Sequence, residues 1–441
     1  MGNIMHRRLG DKPPVAVSAQ GMLVRDSQGN TYIDACGGAA VSTLGHGHPD
    51  ILSAIHRQID RNACAHSAFF TTDVAEELSE RLIAGAPEGI SQVQLVSGGS
   101  EAMEAALKMA RQYFVAGGAT ERTTFIARRG SYHGNTLGAL AVGDSAWGRS
   151  QLDPLLMNVA RVAPCYDYRD RAEGQSLEDY TVALLQEIEA TILATGPEKV
   201  IAFCAEPVVG ATGGAVPPTP GYFQGVRDIC DRYRILLVAD ETLCGMGRTG
   251  TMYALEQDGV APDIVAVAEG LGAGGLPLGA VLAHQAIVDC LRQGSGIFGH
   301  GHAGAGQALA AAAALAVQKA IERDGLLGRV RSRGATLRRM LGDVFGTHEH
   351  VGDIRGRGMF VALEFVQDRA TKTPFPPGRR LHAAVKAKAM ENGLLVCRAG
   401  GTSDGEQGDH VLLAPPFIAT AADLSEMVSR LADAVEAALH A

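Results

Sequence analysis

The sequence predicts an α/β protein built around a mostly parallel sheet, and three observations support that prediction. Residues 235–239 form an unbroken apolar run, which is typical of a strand buried on both faces of a sheet. The 55 glycines and the scarcity of aromatic residues suit a chain with many tight turns between strands and helices. The length of 441 residues exceeds that of one typical domain, so we expect a large domain and a smaller one.

An acidic pair, Asp240-Glu241, ends this apolar run. Ligands of open α/β sheets bind beyond the carboxyl ends of the strands. Because Asp240 follows the buried run directly, we expect its carboxylate to face a bound ligand.

A glycine-rich turn, S-G-G-S-E at residues 97–101, opens a second candidate site. The first N–H groups of a helix are unpaired and meet the positive end of its dipole, so such a turn suits a phosphate group. An ordinary helix cap would produce the same pattern. The turn alone therefore leaves both interpretations open, with Gly99 and Ser100 as the candidate phosphate ligands.

Composition and charge exclude several classes of function. The net charge is −9 and no basic run is interleaved with aromatic residues, so nucleic acid is not an expected partner. Residues 308–317, the longest apolar stretch, reach half the length of a membrane span, and the first ten residues lack the apolar core expected of a signal peptide. The eight scattered cysteines indicate reduced thiols, and His46 and His48 lack a third metal ligand. We expect a soluble, cytoplasmic protein without a metal site.

Local patterns predict most of the secondary structure. A turn signal at residues 27–30 indicates a hairpin, which is followed by a helix from Pro49. Residues 145–195 are expected to contain only loops and helices. Further helices are expected at 72–85, 99–113, 222–233, 329–345, 379–392 and 421–440, and strands at 93–96, 125–128, 200–204, 359–365, 394–397 and 410–413.

The stretch from residue 234 to 280 resembles the core of the class III aminotransferases, which are fold-type-I enzymes that use pyridoxal phosphate (PLP). The resemblance rests on D-E, G-M-G-R-T-G, P-D-I and P-L-G-A in that order, and it extends from about residue 20 to the end. It implies a large domain with a mostly parallel central sheet flanked by helices, plus a smaller α+β domain. It implies three parts. Residues 1–60 are an N-terminal segment that packs with the small domain, residues 61–325 are the large domain, and residues 326–441 are the small domain.

The same resemblance assigns functions to individual residues. The aspartate of the D-E pair faces the pyridine nitrogen, S-G-G-S-E-A-M-E binds the phosphate, and the tyrosine of Y-H-G stacks on the ring. The glutamate of A-E-P borders the substrate space. The implied cofactor site consists of Gly99, Ser100, Tyr132, His133, Glu206, Asp240 and Thr242.

One position departs sharply from the family pattern. The family carries its Schiff-base lysine in A-K-G-L-G, whereas this chain has Glu269 in A-E-G-L-G. A carboxylate can move a proton but cannot condense with an aldehyde. No lysine lies between Lys199 and Lys319, so a replacement amine would have to come from a distant segment.

Other departures surround the same implied pocket. Thr242 stands where the family has Val or Ile. Ala303 stands for the family's Thr, Gln307 for its His or Asn, and Ala308 for its Pro. The lost threonine hydroxyl removes a phosphate donor, a cost of about 1.5–3 kcal/mol. Arg398 lies near the family's substrate-carboxylate region, although an arginine on such a loop is also an ordinary solvated cation.

Three hypotheses account for these departures. In the first, a diverged enzyme uses Glu269 as acid or base on a small amino or carboxylic substrate and has lost ordinary transamination, with weak or absent PLP binding. In the second, an aminotransferase inactivated by a lysine-to-glutamate change binds PLP or pyridoxamine phosphate (PMP) noncovalently. In the third, the protein is a non-catalytic scaffold or regulatory homologue. The resemblance also implies a homodimer.

Overall fold

Strands and helices alternate along most of the chain in the computed structural model, which describes residues 3–7, 9–10, 12–145 and 149–441. The strands are β1 (Ala16–Gln20), β2 (Leu23–Asp26), β3 (Thr31–Asp34), β4 (Ile90–Val96), β5 (Thr124–Arg128), β6 (Val159–Val162), β7 (Val200–Ala205), β8 (Leu236–Asp240), β9 (Ile264–Val267), β10 (Gly279–His284), β11 (Val351–Arg357), β12 (Phe360–Phe365), β13 (Leu394–Leu395), β14 (Cys397–Gly400) and β15 (Asp409–Leu413). The helices longer than one turn are α1 (Pro49–Arg61), α2 (Asp73–Ala84), α3 (Gly99–Ala116), α4 (Leu137–Val142), α5 (Leu177–Thr195), α6 (Tyr222–Tyr233), α7 (Gln285–Gln293), α8 (Ala308–Arg323), α9 (Leu326–Phe345), α10 (Leu381–Glu391) and α11 (Ala421–Leu439).

The central sheet has seven strands in the order β4-β10-β9-β8-β7-β5-β6. Strand β10 is antiparallel to both of its neighbours, and the remaining pairs are parallel. Residues of α3 and α7 pack on one face of the sheet, and residues of α5 and α6 pack on the other. A mostly parallel sheet covered by helices confirms the predicted α/β fold class.

Strand β8 lies in the middle of this sheet, and all five of its residues are buried. Leu236 and Val238 belong to the core under α3, whereas Leu237 and Ala239 belong to the core under α5 and α6. Alternate side chains of a strand point to opposite faces, so a strand covered on both faces is apolar throughout. The unbroken apolar run is therefore explained by the two helical layers.

The predicted helices and strands are found with small shifts at their ends, whereas several further elements were not predicted. Residues 145–195 were expected to lack strands, but β6 lies there and pairs in parallel with β5 at the sheet edge. Three of its four residues are only half-buried. Such a short edge strand carries no continuous apolar signal, which is why the sequence pattern misses it. Within the described ranges, no helix is both long and apolar enough to cross a membrane.

Two smaller sheets lie outside the central one. The first has the order β1-β2-β3-β13, so the N-terminal hairpin shares a sheet with a strand near the end of the chain. The second has the order β11-β12-β15-β14 and consists only of C-terminal strands. Strand β11 was not predicted, because its residues are mostly half-buried and include two glycines. The parallel pairing of β13 with β3 joins the two ends of the chain.

Leu237→Ala should destabilise the protein by about 2–5 kcal/mol, because it leaves a cavity in a strand packed on both faces. Leu237 is fully buried, whereas Leu193 on α5 is 57% exposed and provides the matched control. Urea denaturation followed by circular dichroism measures both variants. Equal losses in the free energy of unfolding for Leu237→Ala and Leu193→Ala would contradict the buried position of β8.

Candidate active site

A cleft of about 150 Å³ lies at the carboxyl end of β8. All residues that the sequence assigned to the cofactor site line it, and Glu269 lines it too. These residues come from segments as far apart as α3 and the turn after β9, which the central sheet brings to one edge. The lining also includes Val208, Leu243 and Cys244, which sequence reasoning missed because no polar chemistry marks them.

The carboxylate of Asp240 is fixed by two contacts. Its Oδ2 accepts a hydrogen bond of 2.7 Å from His133 Nδ1, and its Oδ1 accepts one of 3.1 Å from the Thr242 backbone N–H. The His133 side chain is fully buried and Asp240 is 4% exposed. Within the described part of the chain, His133 Nε2 and Thr242 Oγ1 are buried and have no hydrogen-bond partner. Because buried polar atoms are normally paired, these two groups mark the cleft as a polar binding site.

The turn that begins α3 presents backbone N–H groups without a competing side chain. Gly98 is the N-cap, and no side chain caps the helix there. A Cβ on Gly99 would lie 2.6 Å from Thr242 Cγ2, and one on Gly279 of β10 would lie 2.6 Å from Gly98 O. Glycine at these positions lets the turn lie against both strands, so the helix terminus and its partial positive charge reach the cleft. The arrangement suits an anion such as phosphate.

The carboxylate of Glu206 holds the loop that carries Tyr132. Its Oε1 accepts from the Tyr132 backbone N–H at 3.1 Å, and its Oε2 accepts from the Gly210 N–H at 2.8 Å. Burial raises the pKa of Glu206. The Tyr132 hydroxyl in turn accepts from Asn135 Nδ2 at 2.9 Å. Both oxygens of Glu206 therefore bind backbone, and the tyrosine is positioned at the cleft.

Glu269 begins a short 3₁₀ turn directly after β9, Glu269–Leu271, and faces the cleft. Burial raises the pKa of its carboxyl group, and the charge of Asp240 raises it further. No lysine is among the residues that line the cleft. The site thus combines a fixed carboxylate, a helix terminus and a second carboxyl group, with a raised pKa, where an amine would be needed for condensation.

Arg398 lies apart from this cleft. It sits on β14 and lines a neighbouring cleft of about 1340 Å³, which shares Leu243 with the first one. His6 and Lys386 line the same neighbouring cleft. The structure therefore places Arg398 beside the site and not among its lining residues, which leaves its contact with a substrate a prediction.

His46 and His48 each have a local contact. His46 Nε2 lies 2.9 Å from Asp34 Oδ2, and the His48 ring accepts from the Asp50 N–H at the start of α1. Across the described ranges, no group of three His, Cys, Asp or Glu side chains could hold a metal ion. The two histidines thus connect the N-terminal strands and cap a helix.

Comparisons with known proteins agree with this fold. The family model Aminotransferase class-III matches residues 5–435. An aminotransferase of Gibberella zeae is 40% identical over 443 residues, which cover 99% of this chain and 87% of that protein. An amine transaminase from an uncultivated Pseudomonas species, in its PLP-bound form, has a TM-score of 0.91 at 33% identity and covers 99% of this chain and 98% of its own. An omega transaminase of Pseudomonas jessenii in complex with PMP has a TM-score of 0.91 at 31% identity, over 97% and 93% of the two chains.

The fold and the cleft together define a transaminase-type α/β protein of fold type I. Matches over nearly the whole length make the assignment more specific. The chain belongs to the class III aminotransferase family. The resemblance inferred from D-E, G-M-G-R-T-G and P-L-G-A is therefore confirmed.

Glu269→Gln should change the pH dependence of stability. The folded protein holds the Glu269 proton more tightly than the unfolded chain, so wild-type stability falls as pH rises from the ordinary Glu pKa of about 4.3 through the raised pKa. Glutamine cannot titrate. The free energy of unfolding of the variant, relative to that of the wild type, should therefore be higher at about pH 8 than at about pH 4. Urea denaturation at both pH values measures this difference.

The exposed Glu121→Gln provides the control for that measurement. An equal change with pH for Glu121→Gln would show that the effect does not come from Glu269. A constant difference for Glu269→Gln would contradict a raised pKa at Glu269.

Proposed function

We propose that this class III aminotransferase family protein binds PMP or PLP noncovalently and uses Glu269 to transfer protons of a small amino or carboxylic substrate. The observation that carries the proposal is the shared cleft of Asp240 and Glu269, which no lysine lines. A family member with this lining retains groups for holding the cofactor but lacks an amine for attaching it. Ordinary transamination through a cofactor-bearing lysine is therefore not part of the proposal.

The described residues fit a phosphorylated pyridine. The uncapped N-terminus of α3, with Gly99 and Ser100, would hold the phosphate. Asp240, kept in place by His133, would bind a protonated ring nitrogen, and Tyr132 would lie against the ring. The unpartnered Thr242 Oγ1 supplies a further polar contact within the cleft. When bound, the ring supplies an electron sink for substrate carbanions.

Glu269 provides the proton-transfer group. A general acid or base works best when its pKa lies near the working pH, and burial moves the pKa of Glu269 upward in that direction. The carboxyl group can accept or return one proton at a substrate carbon or nitrogen, but it forms no carbon–nitrogen bond. Glu269 can therefore perform the proton transfer that a lysine would perform after condensation, but not the condensation itself.

Charge favours PMP over PLP in this cleft. Asp240, Glu206 and Glu269 place three carboxyl groups around one small space, away from the helix terminus that suits the phosphate, and these groups favour a cation beside them. Unit charges at about 4 Å interact by roughly 1–4 kcal/mol, depending on the local dielectric. The amine of PMP offers Glu269 a cation, whereas the aldehyde of PLP offers it none. We therefore infer that PMP binds more tightly than PLP.

The proposal also includes the oligomeric state, the cellular compartment and the domain boundaries. We propose a homodimer, which the exposed Phe69 and Phe70 support, since they are 78% and 68% accessible in the single chain. The eight free cysteines support a reducing compartment such as the cytoplasm. We also propose that the chain has an N-terminal segment at residues 1–60, a large domain at residues 61–325 and a small domain at residues 326–441.

The purified protein should bind PMP about tenfold or more tightly than PLP, because one favourable charge contact of about 1.4 kcal/mol gives this ratio. Absorbance titration with each cofactor measures both affinities. Addition of pyruvate or 2-oxoglutarate to the PMP complex should convert the PMP band to that of PLP, and Glu269→Gln should slow this conversion by about 10²–10⁴-fold.

Glu269→Lys provides the reversed case. This variant should prefer PLP and, after borohydride reduction, carry a pyridoxyl group on residue 269 that mass spectrometry detects. Glu121→Lys, at an exposed position, should leave cofactor binding unchanged. A pyridoxyl group on any lysine of the wild-type protein would contradict noncovalent binding. Failure of the wild type to bind either cofactor would instead favour a non-catalytic homologue.

Gly99→Ala should weaken PMP binding by at least about tenfold, since its Cβ would lie 2.6 Å from Thr242 Cγ2 and displace the phosphate turn. The matched control is Gly342→Ala in α9, where a Cβ meets no atom within 4 Å. The control should bind PMP normally and gain roughly 0.5–1 kcal/mol of stability. Equal PMP affinities for the two variants would show that the α3 turn does not bind the phosphate.

A further inference from the structure

Two cysteines that are far apart in the sequence lie near each other, just past the ends of two paired strands. Strand β13 pairs in parallel with β3, with Leu394 opposite Ile33 and Leu395 opposite Asp34. Cys36 and Cys397 follow two residues after Asp34 and Leu395, just past the paired positions, where the Ala35 N–H still donates to the Leu395 carbonyl at 3.0 Å. Neighbouring strands lie about 4.7–4.9 Å apart, which falls within the roughly 4.4–6.8 Å between the Cα atoms of a disulfide.

Side-chain contacts agree with this register. The Cys36 and Cys397 thiols lie close enough for each to shift the pKa of the other, upward for Cys36 and downward for Cys397. Cys36 Sγ also donates to Asp34 Oδ1 at 3.3 Å. Both cysteines line the cleft that contains Arg398, so a small oxidant can reach them from solvent.

We propose that Cys36 and Cys397 are a redox-sensitive pair that forms a reversible disulfide when the protein meets a peroxide. The Cys397 thiolate attacks one peroxide oxygen, which breaks the O–O bond, gives a sulfenic acid and releases hydroxide. The Cys36 thiol then attacks that sulfur, and water leaves as the S–S bond forms. Two thiols are oxidised, one peroxide is reduced, and two waters result in total.

The environment distinguishes the two sulfurs. The contact with Cys36 lowers the pKa of Cys397. The same contact raises the pKa of Cys36, whose S–H donor also faces the Asp34 carboxylate. Because the thiolate is the nucleophile, Cys397 reacts first and Cys36 resolves the sulfenic acid.

Other cysteines lack this combination of access and a neighbouring thiol. Cys64 is exposed, and Cys290 is half-buried with its thiol on the Tyr113 carbonyl. The remaining four are buried among core residues, at Cys165, Cys204, Cys230 and Cys244. Peroxide should therefore produce one specific intramolecular cross-link.

The cross-link would join the N-terminal sheet to the wall of the cleft beside the active site. Cys397 is followed directly by Arg398, and the cleft shares Leu243 with the cofactor cleft. A covalent bond at this point would keep β3 and β14 together and limit movement of the segment that carries Arg398. Oxidation would thus act on the substrate side and leave Asp240 and the phosphate turn unchanged.

Hydrogen peroxide treatment of the native, full-length protein tests the pair. Free thiols are then blocked with iodoacetamide under denaturing conditions, and trypsin without reductant should release residues 26–57 linked to residues 389–398. Dithiothreitol should separate the two peptides. The number of free thiols should fall by two of the eight, and Cys64→Ser should lose the same two.

Single variants provide the second measurement. Cys36→Ser should leave a sulfenic acid on Cys397 that dimedone traps, whereas Cys397→Ser should leave Cys36 largely unreacted. Cofactor titration of the oxidised wild type keeps this test separate from the proposed function, since PMP binding is expected to persist. Absence of the linked peptides after loss of thiols, or linkage of either cysteine to another residue, would overturn the proposal.

Discussion

The buried contact between Asp240 and His133 is the constraint on which the cleft at the carboxyl end of β8 depends. A carboxylate that is 4% exposed at the end of a central strand requires compensation, because an isolated charge in the interior is costly. The His133 ring and the Thr242 N–H provide it. The loop after β5 and the turn after β8 are thereby held together, and Tyr132 reaches the cleft only because that loop is fixed.

The side chain at position 269 determines which chemistry the cleft can perform, whereas the scaffold is determined by the residues around it. The side chain is placed by β9, whose four residues are all buried, so its position does not depend on the group it carries. The family fold is retained at a TM-score of 0.91 to a PLP-bound relative. A framework that positions a group so firmly can present a carboxyl as readily as an amine, and only the reactivity differs.

Much of the fold could be predicted because the strongest signals are local. The apolar run of β8 and the periodicity of α6 lie in single stretches of sequence, and their ends were found within one residue. Strand β6 was missed because an edge strand needs no apolar continuity. The polar lining of the cleft followed from motifs, whereas Val208 and Cys244 enter it only through tertiary packing, which no sequence spacing encodes. The pairing of Cys36 with Cys397 likewise appears only once the register of β3 and β13 is known.

That register also has a consequence for the newly made chain. Strand β3 ends at Asp34, and its partner β13 begins at Leu394, so the ribosome must synthesise most of the protein before the N-terminal sheet can be completed. Until then, one edge of β3 carries unpaired backbone groups, the feature that makes nascent strands prone to wrong association. Native assembly of the N-terminal region is therefore a late event, and truncation before residue 395 would leave that edge permanently open.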